Sequence, residues 1–263
     1  MSKQEVKGVI SSKAKLRMTV LLVAIVGMYV FTSARTGSSI PDLISGSPRI
    51  FSMFAELFPP NWGYASQVWG YLAETVQMAI IATTVAAIIS IPISLLSAAN
   101  LFPNRAIHMP VRFIMNVLRT IPDILLAVIF VGIFGIGVFS GIMALIIFSL
   151  GLLAKLLYET IEAIDLNPLE AIRASGGNTI QVIWYAVMPQ VLPQFVSFSL
   201  YVFEVNVRAS VVLGFVGAGG IGLILQQQLG FFNYPNVSTI IIIIFAAVVV
   251  IDYISNKIRE GLV

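Results

Sequence analysis

The sequence predicts an all-α membrane protein with six transmembrane helices and a pair of short helices between the fourth and fifth. Three observations carry that expectation. Apolar residues make up 58% of the 263 and charged residues 10%, where an ordinary soluble domain is about a quarter charged. Mean hydropathy is +0.97. Apolar runs also recur near the roughly 20 residues that a helix needs to cross a hydrocarbon core.

The six runs occupy 18–34, 76–99, 121–138, 141–157, 191–215 and 237–255. The third and fourth are divided only by "GIGVFSG", and Pro92 inside the second is expected to kink it. Lys3, Lys7, Lys13, Lys15 and Arg17 precede the first run. Arg105, Arg112 and Arg119 lie between the second and third, Lys155 and Arg173 between the fourth and fifth, and Lys257 and Arg259 after the sixth. The alternate loops hold Arg35 and Arg49 alone. The positive-inside bias therefore places both termini in the cytoplasm, with the lipid bilayer as first partner. The opening run and "FTSAR" also have the form of a signal peptide, but the long basic region favours an uncleaved first helix.

Between the first and second runs, "SPRIFSMFAELF" offers Ser47 as a cap and Pro48 as a first helical residue. Ile50, Phe51, Phe54, Leu57 and Phe58 share one face. Two readings stand: a helix lying on the outer surface, or an ordinary packed loop. Trp62, Tyr64, Trp69 and Tyr71 then suit an interfacial belt. The expected organisation is an N-terminal helix with an outer amphipathic segment (1–70), a core of the remaining spans (71–256) and a cytoplasmic tail (257–263).

Composition excludes much chemistry. With no Cys and one His (His108, read as a solvated loop residue), disulfides, Fe–S clusters and thiolate metal sites are absent. The net charge of +3 is scattered and forms no stripe, so no nucleic-acid partner is expected. No metal site is expected either.

The least apolar long stretch of the second half is "NPLEAIRASGGNTIQVIWYAVMPQVLP". Asn167, Pro168 and Glu170 have the form of a capping box, Gly176–Gly177 ends that helix, and Asn178 with Gln181 starts another. The second helix is expected to put Ile180, Ile183, Trp184 and Val187 on one stripe and to stop before Pro189. Two such helices, of about two turns each, are marginal alone in water. Here "EAIRASGGNTIQVIWYAVMP" resembles the cytoplasmic motif of ABC importer permeases, with Glu170, Ala171, Gly176 and Pro189 at its positions. Ile172, Ala186 and Met188 depart from the pattern but stay apolar. The resemblance implies a type I ABC importer permease fold with cytoplasmic coupling helices, in which Glu170, Ala171, Arg173, Gly176, Gly177 and Pro189 serve a separate ATPase. No G-x-x-x-x-G-K-[ST] occurs in this chain, so ATP and its Mg belong to that ATPase and no cofactor is expected here.

"GFVGAGGIG" puts Gly217, Gly219 and Gly222 at dinucleotide-binding spacing. That fingerprint needs a preceding strand, and an apolar helix stands there instead. Gly214, Gly217, Gly219, Gly220 and Gly222 are read as allowing close backbone approach or unwinding at the outer end of a span. Before them, "YVFEVNVRASVVLG" places Glu204 and Arg208 on one helical face, with Asn206 turned toward a neighbouring span. Charges inside a membrane usually face a cavity or a partner. Arg208 therefore either meets an anionic solute, with Glu204 neutralising it between events, or forms a structural ion pair with Glu204. Asp123 in "RTIPDILLA" and Asn206 are further pathway candidates, and Glu74 and Asp252 are read as interfacial.

"KLLYETIEAIDLNPLEAIRASGGNTIQVIWYAVMPQVLPQF" with "SLYVFEVNVRASVVLGFVGAGGIG" is similar to the phosphonate permeases (PhnE type). The resemblance runs from about residue 50 onward and takes in "FPPN" and "RTIP". It implies a non-enzymatic transport subunit moving phosphonate-type anions by alternating access. It further implies a second permease copy, two ATPase subunits and an extracytoplasmic phosphonate-binding protein. Phosphite, hypophosphite and phosphate esters remain alternative cargoes. A secondary transporter would ordinarily show internal repeats, which are not evident. A membrane enzyme would need paired carboxylates or His–metal spacing within the spans. A non-transporting anchor for an ATPase complex is the third alternative.

Overall fold

The computed structural model describes residues 12–37 and 40–261, and these contain helices and turns but no strand. The chain divides into two compact units after Glu56. The first holds α1 (Ser12–Thr36) and α2 (Ile40–Glu56), and α1 is long and apolar enough to cross a membrane. Lys3 and Lys7, used for the expected orientation, lie outside the described residues. The helix expected to start at Ser47 starts at Ile40, with Pro48 in its interior. Proline cannot donate to the carbonyl four residues back. The Ser47 hydroxyl donates to that same carbonyl, on Ile44, at 2.7 Å.

The second unit opens with a 3₁₀ turn, Trp62–Tyr64, and runs through α3 (Ala65–Ser97), α4 (Arg105–Thr120), α5 (Asp123–Phe134) and α6 (Val138–Ala163). It continues with α7 (Asn167–Ala174), α8 (Thr179–Val182), α9 (Met188–Gly214), α10 (Ile221–Gly230) and α11 (Tyr234–Glu260). Four segments here are long and apolar enough to span: Trp62–Ser97, Val138–Ala163, Thr179–Gly214 and Tyr234–Glu260. With α1 that makes five among the described residues. The sixth exists only as the pair α4 and α5, which meet at 89°.

The expected third span is thus two helices. At 12 residues, α5 is about 18 Å long and cannot cross alone. Ile121 precedes a proline and takes extended backbone (ψ 119°), which ends α4. The α4 segment had read as a connection because of its charges, yet it is an amphipathic helix. His108 is 7% exposed on it, with Nδ1 3.0 Å from the Phe102 carbonyl, and is no solvated loop residue. Arg119 is also helical, and its backbone lies against Gly151 of α6, where a Cβ would come within 3.4 Å of the Arg119 nitrogen. Pro92 lies inside the single helix α3.

The bundle centres on α3, α6 and α9. Ala82, Ala144 and Ala209 are buried together with Met78, Leu145 and Leu213. Ala86 and Ala154 continue the contact below them. Lipid gives no hydrophobic push between apolar helices, so close packing through small residues and interhelical hydrogen bonds must hold them. Asn206 supplies the bonds: its Nδ2 donates to Thr83 Oγ1 at 2.8 Å, and its Oδ1 accepts from the Ser149 hydroxyl at 2.9 Å. One amide ties α9 to both neighbours.

Candidate functional site

The motif-bearing stretch folds from its caps outward. Asp165 Oδ1 accepts the Asn167 N–H at 3.0 Å, while Asn167 is itself the first helical residue. The capping box expected on Asn167 and Glu170 therefore does not form, because the helix starts one residue too early for it. At the other end the Gly176 N–H donates to Arg173 and the Gly177 N–H to Ile172, with Gly176 at φ 84°. This is a Schellman ending, and it needs the left-handed conformation that glycine adopts freely. A side chain at Gly176 would point into open space, whereas a Cβ at Gly177 would lie 2.5 Å from Ile172 Cγ2. The second box forms as expected: Asn178 and Gln181 exchange side-chain bonds with each other's N–H.

The helix begun there does not stop at Pro189. A π turn, Ile183–Val187, joins α8 to α9, and Thr179–Gly214 is continuous. Pro189 cannot donate backward, and its ring would press on the carbonyl of the fourth residue before it. The wider turn absorbs that misfit, and Gln190 Nε2 donates to the Ala186 carbonyl at 2.8 Å. Only α7 is a separate short helix. The expected apolar stripe is also split: Val182, Ala186 and Val187 are buried, whereas Ile180 and Trp184 are 76% and 66% exposed.

These burials leave a face outward. Leu169 anchors α7 at 1% exposure among Ala98, Leu101, Ile161, Val182 and Val187. Glu170, Ala171, Arg173, Gly176 and Pro189 are exposed. A groove between α7 and the start of the long helix is lined by Ala171, Ile172, Ser175, Gly176, Gln181 and Tyr185. Arg173 reaches back to the Asn100 carbonyl at 3.3 Å.

Within the bundle, the expected Glu204–Arg208 pair does not form. Glu204, with a 7% exposed side chain, binds Arg259 in the last turn of α11, and Arg259 also donates to Asn256 at 2.9 Å. Arg208 lies 3.6 Å from Asp252, and its side chain is 48% exposed. The i, i+4 spacing places two charges on a face but says nothing of what α11 brings to it. Asp252, read as interfacial, is the partner that was missed, and its lone charge in an otherwise apolar run was the available signal. Asp123 is the first residue of α5 at the helix break, where its Oδ1 accepts the Ile124 N–H at 2.8 Å.

At the far end of α9 the glycines pack backbone on backbone. A Cβ on Gly222 would sit 1.9 Å from the Val211 carbonyl oxygen, and one on Gly214 would sit 2.5 Å from Gly222. Gly217, Gly219 and Gly220 all have positive φ. The Gly137 N–H donates to the Gly217 carbonyl at 2.9 Å, joining the α5–α6 turn to the α9–α10 turn. Glu74 Oε1 and Thr75 Oγ1 accept the Gly220 and Ile221 N–H groups, each at 2.8 Å, and so cap α10 from α3. Glu74 is thus a structural acceptor and not merely interfacial.

Residues 90–260 match the family described as binding-protein-dependent transport system inner membrane component. The phosphate-import permease protein PhnE of Mycolicibacterium smegmatis is 40% identical over 212 residues, covering 80% of this chain. The match spans only 40% of that longer relative. The phosphite transport system permease protein PtxC of Stutzerimonas stutzeri is 37% identical over 219 residues, 83% of this chain and 79% of its own length. In solved structures, an inward-facing form of the MetNI methionine ABC transporter superposes with a TM-score of 0.69 at 23% identity, covering 77% of this chain and 99% of its own.

Proposed function

From its place among the binding-protein-dependent transport system inner membrane components, the family to which this chain belongs, we propose that it is the permease of an ATP-driven importer for phosphonate-type anions. Its relatives are transport subunits, not enzymes. The cargo is an oxyanion of tetrahedral phosphorus: a phosphonate first, with phosphite, hypophosphite, phosphate or its esters as the second reading. The second reading draws on the phosphate-import and phosphite-transport relatives.

One observation carries the reading. A glycine-ended helix stands clear of the bundle on a single buried residue, Leu169, and presents Glu170, Ala171 and Gly176 outward. A separate ATPase docks on that helix and binds the ATP and Mg. Two permease copies, two ATPase subunits and one extracytoplasmic binding protein make the working assembly, with both permease termini in the cytoplasm. ATP-driven closure moves α7 and opens the spans outward, and hydrolysis returns them. The loaded binding protein and ATP both favour the outward state by differential affinity, without which no coupling follows.

Arg208 is the residue of this chain suited to the passing anion. Its side chain is half exposed and its bond to Asp252 is loose. Asp252, and not Glu204, neutralises it between events. The outer glycine segment, Gly214 to Gly222, forms the far end of the pathway.

Gly176→Trp tests the docking. A Cβ there meets nothing within 4 Å, and the strain of a side chain at φ 84° is shared by Gly176→Ala. Gly176→Trp is therefore expected to reach the membrane and to fail to stimulate ATP hydrolysis in the complex, while Gly176→Ala still stimulates it. Normal uptake by Gly176→Trp would show that no partner closes over α7.

A further inference from the structure

The docking helix must pass its movement to the spans, and a small set of polar contacts stands where it does so. The 98–104 connection between α3 and α4 lies directly under α7. Ala98 and Leu101 share a buried cluster with Leu169 of α7 and with Leu157 and Ile161 of α6. That connection is pinned by side chains from α4 and α6. Glu162 Oε1, near the end of α6, accepts the Ala99 N–H at 2.8 Å and also binds the Arg112 guanidinium. Arg112, from α4, donates through Nε to the Ser97 carbonyl at 2.7 Å and lies over the Tyr158 ring at 4.7 Å. Asn100 Nδ2 donates to the Ile161 carbonyl at 2.6 Å. The ends of α3, α4 and α6 are therefore clasped into one body.

Among the described residues a single polar contact ties α7 to that body, from Arg173 to the Asn100 carbonyl, and at 3.3 Å it is long. On the same residue, the Oδ1 atom of Asn100 is buried and has no hydrogen-bond partner among the described residues. A buried acceptor left unsatisfied is costly, and native structures keep few of them. An orphan acceptor on the same residue that already receives Arg173 is explained if the guanidinium uses it in another conformation.

We propose that Asn100 is a positioning residue for coupling: Arg173 passes from its main-chain carbonyl to its side-chain Oδ1 as the ATPase closes, and the clasp made by Glu162 and Arg112 delivers that displacement to α3 and α4 together. The proposal rests on the docking reading above and adds the intramolecular route. It assigns Arg173 to this joint and not to the surface of the ATPase.

The test uses the complete complex in proteoliposomes, with permease, ATPase and phosphonate-loaded binding protein. It reads ATP hydrolysis and uptake of the phosphonate separately. Asn100→Leu removes the orphan acceptor together with the Nδ2 bond to Ile161 and keeps the main-chain carbonyl, whereas Asn100→Asp loses that bond, keeps the acceptor and is expected to stay near the parent. The expected result is that the ATPase still co-purifies and still hydrolyses ATP, while phosphonate moved per ATP falls by about fivefold or more, the lower end of a typical coupling factor. Arg173→Ala, on an exposed side chain, is expected to give the same fall, and the double variant no further one. Because Arg173→Ala cannot disturb the core, it decides the matter even if Asn100→Leu does not accumulate. Unchanged phosphonate per ATP in Arg173→Ala, or effects of the two changes that multiply, would overturn the route. A parent permease that fails to retain the ATPase would instead overturn the docking reading beneath it.

Discussion

Glu204 makes the sharpest demand of any side chain in this bundle. Its side chain is buried against the Arg259 guanidinium, and removing one partner of a buried ion pair costs about 3–5 kcal/mol. Arg259→Ala is therefore expected to lower stability by about that amount, read as thermal unfolding of the detergent-solubilised protein. Adding Glu204→Gln to it is expected to recover most of the loss. Asp252 and Arg208 are more exposed, and their pair contributes about 1 kcal/mol or less. The sequence made the charges legible as a problem to be solved but pointed to the wrong solution. Residues four apart on one helix are visible in a string of letters, whereas Arg259 enters through the packing of α11 on α9. Asn206 was legible for a plainer reason, since an amide in an apolar helix has few ways to be satisfied except across to a neighbour.

Among elements, the crossing of α9 and α10 is the tightest. It admits no atom beyond hydrogen at Gly222, where the nearest neighbour is a carbonyl oxygen of the same chain. Gly222→Ala must push the two helices apart, and overpacking of this kind costs about 1–3 kcal/mol. The expected outcome is a lower unfolding temperature, while Gly132→Ala, at a position with no neighbour within 4 Å, serves as the matched control. These glycines were readable as close-approach residues because the alternative, a nucleotide loop, required a strand that an apolar run could not supply. The extent of α4 was not readable. Its three arginines follow the rule for a loop, and only its packing on α6 shows that they mark one face of a helix. Pro122 and Pro189 show the same limit from the other side. One breaks a span and the other is absorbed by a π turn, and nothing local to either proline distinguishes them.

Across the second unit, ion pairs join helices that are far apart in the chain. Glu204 with Arg259 and Arg208 with Asp252 join α9 to α11, and Arg112 with Glu162 joins α4 to α6. Of the two pairs on α9, only the Arg208 pair combines exposure with a loose bond, which is what the pathway role proposed for Arg208 requires. Arg208→Gln is expected to leave the protein assembled and to cut phosphonate uptake by about tenfold, the effect of losing about 1.4 kcal/mol of interaction. Uptake equal to the parent would remove Arg208 from the pathway. Hydropathy was enough to find the class of protein and most of its spans, because lipid constrains every residue of a crossing helix. Which charges meet, and which helix is bent, depends on contacts between segments far apart in the chain.

The unbroken Thr179–Gly214 helix has a mechanical consequence. At 1.5 Å per residue it is a rod about 54 Å long, with the α7 joint at one tip and the glycine crossing at the other. A tilt of about 5° around the near tip swings the distant one by about 5 Å, the length of a whole helical turn. An angular nudge at one surface thus becomes an opening on the other, with no need for any segment between them to refold.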